Sequence, residues 1–223
     1  MSAVTGPFTP ETRHIAVVSG GLGESSQTRM LAERLAEAAS SALAGRGSAP
    51  EIHLITLREL AVDVAQAQVT ATTSPALRAA LDEVEQADAV IAVSPTFKAS
   101  YAGLFKAFWD LVDDDAVRGT AVLLGATGGT ARHSLMIDTA MRPLFSYLRT
   151  RIIPTAVFAA SDDWGEVTGA AASMRDHPLS ARIAAAGRDL AEVMLLRPAR
   201  PRRAKGEAEL EVTPFDQLLN PGA

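Results

Sequence analysis

The feature that most constrains how this chain folds is a pairing that recurs along it. A short apolar run is followed by a loop of glycine, serine, threonine or proline, and the loop opens a helical pattern. His14-Ile-Ala-Val-Val-Ser19 stops at Gly20-Gly-Leu-Gly23, and a helix is predicted over about 26–43 with Met30, Leu31, Leu35 and Ala38 on one face. Ala89-Val-Ile-Ala-Val93 ends at Ser94-Pro95, and Ala121-Val-Leu-Leu-Gly125 ends at Thr127-Gly-Gly129. Ile52-His-Leu-Ile-Thr56 and the run from Ile152 to Ala159 complete five predicted strands. Further helices are predicted over about 75–87, 101–113, 131–149 (kinked at Pro143) and 178–196. Runs that are apolar without alternation suit strands buried on both faces.

Strands alternating with helices imply right-handed βαβ units and a parallel sheet. The predicted fold is α/β, a flavodoxin-like doubly wound five-stranded parallel sheet of order 2-1-3-4-5. With 223 residues the chain holds one such domain, predicted over 13–196. Residues 1–12, with Gly6, Pro7 and Pro10, read as a flexible N-terminal arm. Residues 197–223 read as a C-terminal extension: a basic, Pro-rich link, then Glu207, Glu209 and Glu211 alternating with Ala208, Leu210 and Val212. That alternation predicts an added edge strand or an extended arm packed on the sheet or on a neighbouring subunit.

Composition removes several classes of function. There is no cysteine, so disulfides, thiolate metal sites and cysteine nucleophiles are excluded. The longest uncharged stretch, Val64–Leu77, is 14 largely polar residues, too short for a membrane span of about 20. The first basic residue is Arg13 and no apolar core precedes it, so no signal peptide is expected and the predicted location is cytoplasmic. A net charge of −5 argues against a general nucleic-acid binder. The four histidines show no i,i+4 pair and no metal-binding spacing; His14 and His53 lie near strand starts and read as structural, and no metal is expected. His133 follows the fourth loop and is a candidate contact at that edge.

In a doubly wound sheet, ligands bind beyond the carboxyl ends of the strands. The first loop there is Ser19-Gly-Gly-Leu-Gly-Glu-Ser-Ser-Gln-Thr28. Its glycines permit close backbone approach, and its hydroxyls meet a helix N-terminus, where free N–H groups and the helix dipole favour an anion. Ser25 or Ser26 would also serve as an ordinary helix cap. A Walker loop needs a lysine, and none precedes Lys98. The dinucleotide fingerprint fails at its third glycine, replaced by Ser26, and strand two ends without an acid, before Leu57 and Arg58. A neutral cradle of Ser19, Ser25, Ser26, Gln27 and Thr28 suits a phosphomonoester such as that of FMN. The loops at Pro95, Thr96, Phe97 and Lys98 and at Thr127, Gly128 and Gly129 share this edge and are suited to line a flat heterocycle.

Pro95-Thr-Phe-Lys-Ala-Ser-Tyr-Ala-Gly-Leu-Phe-Lys106, followed by Asp110, resembles the "P-x-Y-x-x-S-Y-x-G-x-x-K" segment of NAD(P)H-dependent FMN reductases. Ala126-Thr-Gly-Gly-Thr130, with His133, Asp138 and Pro143 downstream, resembles the sulfonate-utilisation branch of that family. The C-terminal Val212-Thr-Pro-Phe-Asp-Gln-Leu-Leu219 is similar to an actinobacterial subgroup. The resemblance covers roughly 14–165. It implies bound FMN, with the phosphate on the 19–28 loop and the isoalloxazine against 95–98 and 127–129. It also implies hydride transfer from NAD(P)H, with reduced FMN supplied to a partner monooxygenase. Three positions depart from the family pattern: Leu22 stands where the first-loop arginine is usual, Phe97 where the ring-side tyrosine is usual, and Thr139 where some relatives carry an aromatic residue. Alternatives on the same fold are a quinone or azo reductase with retained flavin, and a non-enzymatic flavodoxin-like electron carrier.

Nothing in the sequence resembles a general acid/base pair, and no catalytic side chain is assigned. Arg132, Arg142 and Arg149 are the candidates to meet the 2′-phosphate of NADPH. The segments 101–113 and 131–149 carry Phe105, Phe108, Trp109, Leu111, Leu135, Met136, Met141, Leu144, Phe145 and Tyr147. That apolar surface predicts a homodimer or dimer of dimers.

Overall fold

A computed structural model describes residues 10–164 and 178–202. The extension's acidic–apolar alternation and the first nine residues of the arm lie outside them. The element order is β1 (Thr12–Ser19), α1 (Gln27–Ala44), β2 (Ala49–Thr56), α2 (Ala61–Thr70), α3 (Pro75–Glu85), β3 (Ala89–Phe97), β4 (Ser100–Tyr101), α4 (Gly103–Trp109), β5 (Ala121–Gly128), α5 (Arg142–Tyr147), β6 (Arg151–Ile152), β7 (Val157–Ala160) and α6 (Pro178–Leu195).

The parallel sheet runs β2-β1-β3-β5-β6, with β7 also paired to β5. This is the predicted flavodoxin-like order, with the fifth strand in two pieces. Val122 pairs with Ile152 and Gly125 with Val157, so Leu123 and Leu124 of β5 face four residues of the edge strand. Pro154 lies in that excess and has no N–H to donate to a ladder. Arg142 takes up the freed carbonyls, donating to Pro154 O at 2.7 Å and Ile153 O at 3.4 Å.

Because side chains alternate across a strand, each central strand feeds two cores. Ile15, Val17, Ile91, Val93 and Leu123 pack under α1 and α6. A Cβ on Gly187 would lie 2.6 Å from the Ala38 carbonyl carbon, so α6 crosses α1 at a contact that only glycine allows. Ala16, Val18, Val90, Ala92, Val122 and Leu124 pack on the other face under residues of α2, α3, α4 and α5. Ser74 caps α3, accepting from Leu77 N at 3.1 Å, with Pro75 in the first turn.

One helix lies where the sequence predicted none, and two local expectations are corrected. Helix α2 is not marked by an apolar stripe; it buries only Val64 and Ala67, and the left-handed Ala71 (φ 55°) ends it. The single helix expected over 131–149 is a 3-10 turn at Ala131–His133, a π-helical turn at Ile137–Met141 and then α5. Pro143, which cannot donate backward, sits at the join and accounts for the widened turn. The apolar surplus assigned to a subunit interface is mostly internal: Phe105, Phe108, Trp109, Met136, Met141 and Phe145 are buried in this chain's own core. Helix α2 packs against α4 and supplies part of that cover. Leu135 and Tyr147 are the ones left well exposed, at 66% and 74%.

Candidate active site

Strand β1 delivers the first loop to the carboxyl edge of the sheet, where Gly20 N–H donates to Val93 O at 2.8 Å and ties it to β3. The loop then folds back on itself so tightly that a Cβ on Gly21 would meet Ser26 Oγ at 2.0 Å. Ser26 is the N-cap of α1, its hydroxyl accepting from Arg29 N at 3.4 Å. The amides of Gln27 and Thr28, the first two of the helix, have no carbonyl within it to receive them. They and the exposed Ser25 face the space above the sheet edge.

The second wall is the end of β3. It turns back through Lys98 and Ala99, both in the left-handed region (φ 49° and 63°), to pair Phe97 with Ser100 and Thr96 with Tyr101. Ser94 is fully buried and fixes the turn, accepting from Ala102 N at 3.0 Å. The hairpin leaves Phe97 48% exposed, a large aromatic held out of the core beside the first loop. The Thr96 Oγ1 atom is buried and has no hydrogen-bond partner.

The end of β5 is the third wall. Thr28 and Thr127 are both buried, and their hydroxyls bond at 2.7 Å, joining the helix N-terminus to the fourth loop. A Cβ on Gly128 would press on the Phe158 ring tip at 2.9 Å, whereas one on Gly129 would enter open space. Together these walls form a cleft of about 410 Å³ lined by Ser25, Ser26, Gln27 and Thr28, by Pro95, Thr96 and Phe97, and by Thr127, Gly128 and Gly129. Leu22, Gly23 and Ser161 complete it. Among the described residues no ionisable side chain lines it.

Two residues of the expected site do not reach the cleft. Ser19 is fully buried in β1, its hydroxyl without a partner, and Lys98 sits at the hairpin tip. Exposed His133 does not line it either. Of the three arginines, Arg142 is engaged by Asp138 and the carbonyls at Pro154, and Arg149 precedes β6 at the opposite edge of the sheet. Arg132 stays near the cleft's fourth loop. One contributor was missed from sequence: Ser161 arrives from the end of β7. Arg58, after β2, is outside the cleft lining and pairs with Glu24 of the first loop at 3.1 Å.

Among the described residues the cleft is neutral and hydroxyl-lined, and it lies at the carboxyl edge of a flavodoxin-like sheet. The profile of the NADPH-dependent FMN reductase family matches residues 13–165. The chain is 39% identical over 146 residues to the NADH-dependent FMN reductase SfnF of Pseudomonas putida, covering 66% of this chain and 76% of that one. It is 36% identical over 181 residues to an FMN reductase (NADPH) of Pseudomonas aeruginosa, covering 81% and 89%. A solved oxidoreductase of Corynebacterium diphtheriae superposes with a TM-score of 0.76 at 39% identity, covering 84% of this chain and 99% of that one. The chain belongs to the NADPH-dependent FMN reductase family.

Proposed function

We propose that the chain is an NAD(P)H:FMN oxidoreductase that holds FMN in the 410 Å³ cleft. The phosphate end is assigned to Ser25, Ser26, Gln27 and Thr28, and the ring end to Pro95, Thr96, Phe97, Thr127, Gly128 and Gly129. The observation that carries this reading is the pairing, in one space, of free α1 amides with the unpartnered Thr96 Oγ1 and the outward Phe97. An aromatic face, an orphaned hydroxyl and an anion-seeking helix end suit the two ends of FMN. Bound FMN supplies the hydride-accepting chemistry. This chain's residues bind and orient; among the described residues no ionisable side chain lines the cleft, and what those residues contribute is positioning.

The reading extends to a homodimer or dimer of dimers and to delivery of reduced FMN to a monooxygenase in the cytoplasm. Support for assembly is narrower than the sequence suggested. It rests on a cleft of about 730 Å³ between α4 and α5, flanked by exposed Tyr147 and by Thr139, whose hydroxyl turns back to Leu135 O at 2.9 Å. Among the described residues no helix is long and apolar enough to cross a membrane. The test is steady-state oxidation of NADH and of NADPH, each with and without added FMN. FMN-dependent oxidation is expected; its absence with both nucleotides would leave the electron-carrier alternative standing.

A further inference from the structure

The opposite end of the sheet carries a second constellation. His14 of β1 lies in register with Glu51 of β2, and His53 follows Glu51 by two, so all three side chains leave one face of the sheet. Glu51 Oε2 is 3.4 Å from His14 Nδ1, and its Oε1 is 3.3 Å from His53 Nε2. One ligand atom from each of the three residues falls within 4.8 Å of the others. The two contacts fall on different oxygens of the carboxylate, each at a separation close to the ligand–ligand edge of about 3.3–3.4 Å in a tetrahedral site with ligands at about 2.0–2.1 Å.

The ring orientations are those of metal ligands. Glu83 of α3 places Oε2 3.4 Å from His53 Nδ1, leaving Nε2 turned toward Glu51. A carboxylate on the outer nitrogen of an imidazole fixes its tautomer and raises its basicity as a ligand. His14 presents an acceptor nitrogen too, because Arg202 Nη1 approaches its Nδ1 at 2.9 Å and a guanidinium can only donate. The same Nη1 is 3.4 Å from His53 Nε2, while Nη2 bonds Glu83 at 2.7 Å. Two imidazole lone pairs and a carboxylate therefore converge on one point, and the chain's own cation stands there.

We infer that His14, His53 and Glu51 form a binding site for a borderline divalent cation of the zinc class, for which the Arg202 guanidinium is the internal competitor. Two imidazoles and one carboxylate suit such an ion better than calcium or magnesium. The site is separate from the flavin cleft, which lies at the other ends of the same strands.

Isothermal titration of the full chain with zinc chloride, in the wild type and three variants, tests this. His53→Ala and Glu51→Gln should each weaken zinc at least tenfold; Glu51 is exposed, so the second variant guards against a folding defect in the first. Arg202→Ala should tighten zinc severalfold. FMN-dependent NADH oxidation by metal-free Glu51→Gln should equal that of the wild type. Zinc binding unchanged in both ligand variants, or absent from Arg202→Ala, overturns the site. Zinc held no more tightly in Arg202→Ala than in the wild type overturns the competition.

Discussion

The two edges of the sheet are built from the same strands and could hardly be more different. At the carboxyl edge β1 ends at Ser19, β3 at Phe97 and β5 at Gly128, and the space between their loops is open and, among the described residues, lined by no charged side chain. At the amino edge the residues 198–202 cross the strand starts and are held by charge. Arg200 donates to Thr120 Oγ1, Ala116 O and Ala87 O, and Asp88 accepts from both His14 N and Arg200 N. Buried Arg13 bonds Glu11 at 2.6 Å. One edge spends its polar groups on itself; the other keeps them available. Backbone amides at a helix start and hydroxyls that reorient can take up a phosphate with little rearrangement, whereas a network of paired charges holds the chain closed.

The largest expected effect separates the edges by stability. Arg200→Ala removes three hydrogen bonds from a charged donor and leaves their acceptors part-buried, so it should cost about 2–3 kcal/mol in urea unfolding. FMN affinity should stay within twofold. A matching loss of FMN binding would mean that the two edges are coupled.

Next is a pair of glycines in one loop. Gly128→Val meets the buried Phe158 and should lower stability by about 1–3 kcal/mol through overpacking. Gly129→Val projects into open space and should leave the melting temperature nearly unchanged while weakening FMN at least about tenfold, or ~1.4 kcal/mol. Thermal denaturation and flavin titration of both variants check this, and equal melting losses would sink the distinction.

The smallest effect is a pH dependence confined to the amino edge. Burial, then Arg202, holds the His14 pKa below its ordinary value. The unfolded chain therefore binds a proton that the folded chain refuses, so stability falls as pH drops through about 6.5 and below. Glu51 and Asp88 face the same ring and oppose that lowering, and the neighbouring His53 adds to it, each by less than burial and Arg202. The melting temperature should decline on acidification from about pH 7.5 to about pH 5.5, and His14→Gln should flatten that slope. An unchanged slope in the variant removes His14 as the cause.

How legible each edge was in the sequence follows from the same contrast. The carboxyl edge is local: a buried run, a glycine and a hydroxyl before a helix identify a loop without knowledge of its neighbours, and ten of the twelve expected contact residues line one cleft. The amino edge is a product of register. Nothing in the spacing of His14 and His53 signals that Glu51 stands opposite one and two residues from the other. Helix α2 was illegible for another reason: Ala61-Val-Asp-Val-Ala-Gln-Ala-Gln-Val-Thr70 has small and polar residues with no stripe, and tertiary contact with α4 carries it. Missing α2 had a consequence, because part of the aromatic surface of α4 that seemed to await a second subunit is covered by that helix.

The central claim is that the open edge holds FMN by its phosphate. Quenching of flavin fluorescence, titrated with FMN and with riboflavin, tests it most directly. A few charge-assisted hydrogen bonds at the start of α1 should make FMN bind tighter by about 1–3 kcal/mol, roughly 5- to 150-fold. Ser25→Ala should narrow that gap, and it is a cleaner probe than Thr28→Ala, which also breaks the bond to Thr127. Equal affinity for FMN and riboflavin in the wild-type chain would contradict the account.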